Sequence, residues 1–172
     1  MAALGVESRL AILCASLFLA SAAHAEERTS IAVFRDWGAF REGSEGSPTR
    51  CFAIAEPPPG TRAAGRGAFA SVASWPQKRI RAQISIHLSH DHRNGAPVTL
   101  NIGDSAFLLT AQGRSAWARD RHADARIVSA IRSGSSMSVS SVAPDGTPFA
   151  DAYRLRGAAS AIDSAMLACP MR

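Results

Sequence analysis

Lysine is almost missing from this chain. Lys78 is the only one, so arginine carries the net charge of +5. Those arginines are scattered, with small groups at Lys78-Arg79-Arg81 and Arg114-Arg119-Arg121. Also lacking is a dense basic run interleaved with aromatics, which argues against nucleic acid as a partner. Two readings of the charge stand: a solvated arginine surface, or attraction to an anionic envelope surface. The local signatures of several catalytic classes are missing too. There is no Gly-x-Ser-x-Gly elbow and no glycine loop that would cradle a phosphate. Asp104, Asp120 and Asp151 are carboxylates with no evident pairing. An enzyme is therefore not expected, and neither is a cofactor.

Beyond the first 25 residues, no stretch is long and apolar enough to read as a transmembrane helix. Residues 1–25 read as a secretory signal: Arg9, an apolar run over 10–20, and Ala23-His24-Ala25 as a small-x-small cleavage site. The mature chain is expected to start at Glu26, as a soluble single domain spanning 26–172; 172 less 25 leaves 147 residues, enough for one core. Cys14 sits in the apolar run after Leu13, which is too large for a lipoprotein signal, so Cys14 is expected to leave with the leader.

Only Cys51 and Cys169 then remain. In an exported chain an even cysteine count suggests a disulfide, here closing a loop of 118 residues. The alternative is two buried free thiols.

Many short apolar runs separated by turn signals are present. Residues 29–40 read as a strand broken at Asp36, 42–48 as a glycine- and serine-rich loop, and 50–55 as a strand carrying Cys51. Further strands are expected at 68–75, 82–88, 97–102, 105–110 and 115–118. The clearest is 82–88, where Ala82, Ile84, Ile86 and Leu88 alternate with Gln83, Ser85 and His87. A helix over 124–133 places Ile127, Val128 and Ile131 on one face and ends at Gly134, read as a left-handed stop. A hairpin follows around Pro144-Asp145-Gly146, with Phe149, Tyr153 and Leu155 on its return strand and a bulge expected at Val142. A terminal helix over 158–168 aligns Ile162, Ala165, Met166 and Cys169, with Ser160 and Asp163 at capping-box spacing. The pattern argues for a mainly β fold, an antiparallel sandwich or barrel-like domain, with one short helix and a C-terminal helix that a disulfide would tether.

Several pieces occur in order: Asp36-Trp37-Gly38, Arg50-Cys51-Phe52, Trp75-Pro76, the run from Ile127 to Val139, Asp145-Gly146-Thr147, Asp151 to Gly157, and Cys169. As an ordered set with both cysteines, they resemble the invasion-associated locus B family of exported alphaproteobacterial proteins. The resemblance implies a small β-rich protein in the periplasm or at the outer envelope. Its partner would be an envelope protein or surface component, and a role in host-cell contact gives the family its name. It brings no catalytic residues. The chain departs from the family pattern at 89–95, a histidine-rich turn.

That turn carries the one cluster suggestive of a ligand. His87, His90 and His92, with Asp91 as an added oxygen donor, would suit zinc, copper or nickel if the rings converged. The competing reading is a solvated hairpin. His122 is expected at the surface or as a helix cap. Trp37, Trp75 and Trp117 are expected in the core or at its rim, the alternative being exposed aromatics at a binding surface, and Tyr153 needs a partner for its hydroxyl if buried.

Overall fold

A computed structural model describes residues 28–44 and 46–170. The expected leader and Cys14 lie outside the described residues. Ten strands occur in chain order: β1 (Arg28–Phe34), β2 (Trp37–Ser44), β3 (Ser47–Ala55), β4 (Phe69–Trp75), β5 (Ile80–His87), β6 (Val98–Ile102), β7 (Ser105–Gln112), β8 (Ser115–Trp117), β9 (Ser136–Val142) and β10 (Pro148–Arg154). Helix α1 (Arg121–Ser133) lies between β8 and β9, and α2 (Ala158–Ala168) follows β10. The strands form one antiparallel sheet in the order β1-β2-β3-β4-β5-β8-β7-β6-β9-β10.

One core gathers side chains from both helices and nearly every strand. Strand β5 shows why: Ile84, Ile86 and Leu88 are fully buried, whereas Gln83, Ser85 and His87 stay partly wet. Burial of each such aliphatic side chain contributes about 1.5–3 kcal/mol. The two ends of the sheet meet: Trp37, wholly buried, donates Nε1–H to Arg154 O at 2.9 Å, and Asp36 N–H donates to Arg156 O at 3.2 Å.

Cys51 and Cys169 are bridged, with their Cα atoms 5.8 Å apart. The bridge fastens α2 to β3. A salt bridge between the helices adds a lesser tie, Arg132 in the last turn of α1 reaching Asp163 in the middle of α2 through two bonds of 2.6 and 3.1 Å.

Five local expectations are corrected. Residues 29–40 form two strands rather than one broken strand, because Arg35 takes φ 60° and closes a tight hairpin between β1 and β2. Most of 42–48 is strand, not loop, since β2 and β3 keep pairing to Ser44 and Ser47. Val142 makes no bulge: β9 and β10 pair without interruption, and the phase is carried by Ser141, which turns inward and donates to Pro97 O at 3.0 Å. Gly134 has φ −82° and is not left-handed. A Cβ there would lie 3.0 Å from Ala130 O, Ile102 Cγ2 and Leu155 Cδ1, so close packing favours the glycine. Ser160 caps nothing, because the cap position of α2 is Gly157 and Asp163 is spent on Arg132.

Helix α1 begins at Arg121, one turn earlier than expected, because Asp120 accepts the Ala123 N–H at 2.8 Å as its cap. The helix also repairs the sheet. Strand β8 is only three residues long and pairs with Ser85–His87 of β5 and Thr110–Gln112 of β7. Beyond it the sheet forks, and α1 fills the fork. Buried Asp124 accepts the Ile84 N–H on the open edge of β5 at 2.9 Å. Desolvation raises the Asp124 pKa above the usual carboxylate range; the bond from Ile84 opposes this and the charge of Asp120 adds to it. A raised carboxyl contributes most below its unfolded pKa, and the contribution is lost as pH rises through the folded value. Asp124→Asn is therefore expected to exceed wild type in melting temperature at neutral pH, with the difference closing toward acid. Asp124→Ala, which orphans the Ile84 N–H, is expected to cost about 1–3 kcal/mol in chemical denaturation.

Candidate functional site at the histidine turn

The chain between β5 and β6 is pinned from three sides. Leu88 N–H donates to Arg114 O at 2.7 Å, and Arg114 returns Nε–H to Leu88 O at 2.7 Å. Arg114 also donates through Nη2 to Arg66 O, so one guanidinium ties the turn to the loop after β3. Ser89 N–H donates to buried Asp151 Oδ2 at 2.8 Å, and Arg93 N–H to Val142 O at 2.8 Å. Between these anchors opens a cleft of about 370 Å3, lined by Arg66, Ser89, His90, Asp91, Arg114 and Asp145. A hydrogen bond from Thr147 N–H is the main reason that the Asp145 carboxyl is held below its ordinary value; nearby His90 acts in the same direction.

The three histidines occupy different surroundings. His87 stacks on Phe69 at 5.2 Å between ring centroids. Its pKa is lowered, first by desolvation and then by the Arg114 charge, against an opposing pull from Asp91. His90 lies over Phe149 at 5.0 Å, with Nδ1 2.9 Å from Ser89 Oγ. His92 is buried and holds Nδ1 2.9 Å from Gly113 O. A carbonyl only accepts, so His92 Nδ1 carries the proton. Among the described residues, no group of three His, Cys, Asp or Glu side chains stands close enough to share a metal ion. His92→Ala is expected to cost about 1–2 kcal/mol in urea denaturation, by the same amount with and without added zinc.

Ser89, His90 and Asp151 meet here, although sequence reasoning did not put them together. The order of their bonds is not that of a nucleophile relay, since Asp151 holds the backbone of Ser89 rather than the ring of His90. Asp151 sits in phase with Phe149, Tyr153 and Leu155, and that alternation was the available signal for its inward position. Arg114 gave no comparable signal, because its partners are backbone carbonyls. Tyr153 is buried beside Asp151. Tyr153 Oη and Asp151 Oδ1 have no hydrogen-bond partner among the described residues. Burial, and secondarily the Asp151 charge, pushes the phenol upward, so it stays neutral at ordinary pH.

Of the other expected site residues, Trp37 is core, Trp75 and Trp117 are half-buried, and His122 is exposed in the first turn of α1.

The arrangement defines a class: an all-antiparallel β protein with a disulfide-fastened C-terminal helix and a polar cleft held open by backbone hydrogen bonds. Within it, the chain belongs to the invasion associated locus B (IalB) protein family, whose model matches residues 41–166. The crystal structure of invasion associated protein B from Bartonella henselae shares the fold, with a TM-score of 0.52 and 17% sequence identity. The match covers 81% of this chain and 96% of that one. Among curated proteins, none matches the chain.

Proposed function

We propose that this protein is exported to the periplasm or outer envelope, where residues 26–172 act as one unit through contacts with an envelope protein or surface component. The observation that carries the reading is the Cys51–Cys169 bridge. A disulfide that fastens a terminal helix persists in an oxidising compartment and not in a reducing one. Family membership and the apolar leader at residues 10–20 support the same location. The contact role is supported by the net charge of +5 and by the partners of Ser89, His90 and Asp151, which are occupied in holding the turn together. Contact with host cells is the finer form of this reading, and the family name supports it.

Fractionation with thiol trapping tests the proposal. Cells are alkylated before lysis, and the chain is followed by mass spectrometry. The expected product is a periplasmic or envelope-bound chain that begins at Glu26 and has no alkylated cysteine. An uncleaved cytoplasmic chain with both thiols alkylated would overturn it.

A further inference from the structure

The fork in the sheet leaves a second groove, at the opposite end of the β5–β8 pairing from the histidine turn. On the β5 side of α1 it encloses about 340 Å3 and is lined by Arg81, Gln83, Trp117, Arg119 and Arg121. Asp120 and Asp124 also line it, but both are committed. Asp120 caps α1 and pairs with Arg119 at 3.3 Å, while Asp124 accepts the Ile84 N–H. Arg81 and Arg121 are exposed, and neither has a hydrogen bond or ion pair with another described residue. On the other flank of α1, a smaller groove of about 210 Å3 shares Arg119 and adds Arg126, whose guanidinium lies 5.6 Å from the Phe107 ring centroid. The start of α1 is thus ringed by four guanidinium groups, two of them unengaged.

The donor set is specific in kind. A guanidinium matches a carboxylate or a phosphate in a two-pronged bond, so the choice of a sugar comes from the indole and amide beside it. Trp117 lines the groove half-buried, and an indole offers a flat apolar surface that suits the C–H face of a sugar ring, while the glutamine amide both donates to and accepts from hydroxyls. We infer that this groove binds an acidic glycan, with sugar carboxylates on Arg81 and Arg121, a pyranose face on Trp117, and hydroxyls on Gln83. A single indole in a groove suits one or two sugar rings. A run of stacked bases needs several aromatics in series, and a bilayer needs a broad apolar face. The inference deepens the surface-contact reading and rests on it for its setting.

The test uses the full chain as the cell processes it, titrated with a hexamer of galacturonate. Calorimetry and tryptophan emission are the readouts. Saturable binding is expected, weakening several-fold between about 50 and 150 mM salt as charge contacts are screened. Arg81→Ala with Arg121→Ala is expected to weaken it by about tenfold or more. Arg62→Ala with Arg93→Ala removes equal charge elsewhere and is expected to change the affinity less than about twofold. Trp117→Phe is expected to remove most of the emission change, because Trp37 is wholly buried and Trp75, although only half-buried, does not line the groove. The inference is overturned by equal binding of neutral maltohexaose or equal loss in both double variants. It is also overturned if anionic phospholipid vesicles or a single-stranded oligonucleotide bind more tightly than the uronate in an Arg81- and Arg121-dependent way. A chain found outside the envelope would overturn the location while leaving uronate binding in place. Failure to bind would overturn the groove and leave the location untouched.

Discussion

Replacing both Cys51 and Cys169 by serine is expected to lower the unfolding free energy by about 4–5 kcal/mol, the entropy of closing a loop of 118 residues in the unfolded chain. That is a large share of the 5–15 kcal/mol that stabilises an ordinary domain. The loss should start locally. The buried face of α2 is Ala158, Ala161, Ile162 and Ala165. Alanine favours helix but brings little apolar area, so packing alone docks this helix weakly. Arg132–Asp163 is exposed and adds at most about 1 kcal/mol. The bridge therefore supplies most of the anchorage. Urea titrations of the oxidised, reduced and double-serine proteins measure the size of the effect. Hydrogen exchange tests the order: α2 amides should lose protection before those of β4 and β5. A double-serine protein within about 1 kcal/mol of wild type, with α2 still protected, would show that packing holds the helix.

Gly157→Ala is the second large effect, expected to cost at least about 3 kcal/mol and to lower the melting temperature by about 10 °C. Two penalties coincide at this residue. Its φ of +89° is in the region that L side chains avoid. A Cβ added here would also run into the Phe34 carbonyl, with Phe34 C at 2.6 Å and Phe34 Cβ at 3.0 Å. Both atoms belong to the β1–β2 hairpin, so the glycine stands where the two ends of the sheet meet, next to the Trp37 and Asp36 bonds to Arg154 and Arg156. Gly134→Ala provides the comparison. Its φ is ordinary and its added Cβ meets Ala130 O, Ile102 and Leu155 at 3.0 Å, so a smaller cost of about 1–2 kcal/mol is expected, eased at Ile102 and Leu155 by small side-chain shifts and retained at the Ala130 carbonyl. Equal melting temperatures for the two variants would contradict the distinction.

The histidine turn shows where a sequence reading runs out. His87, His90 and His92 are near neighbours in sequence, and that proximity suggested a shared ion. Each ring was then claimed by something distant in sequence: Phe69 for His87, Phe149 for His90 and Gly113 O for His92. No spacing rule encodes which strand will lie beside a turn. The same holds for Arg114, whose two carbonyl partners lie 26 and 48 residues away.

What the sequence determined by itself was local and periodic. Alternation in β5 and β6, the Ile127-Val128-Ile131 face of α1, the limits of α2 and the pairing of Cys51 with Cys169 could all be read directly. These features depend on side chains a few positions apart, or on a count with one solution once the leader is set aside. Tertiary structure decided the rest. It made a hairpin at Arg35, where no glycine signals the turn, and kept strands through 42–44 and 47–48 because a partner strand satisfied their backbone. It set Ser141 inward against Pro97 O, and it favoured Gly134 for space rather than for its dihedral freedom. It also opened the fork that gathers Arg81, Trp117 and Arg121 from β5, β8 and α1. The physical reason is the range of the forces. Hydrophobic phase and turn chemistry act within a few residues, whereas close packing and backbone satisfaction are settled only between segments that folding has already brought together.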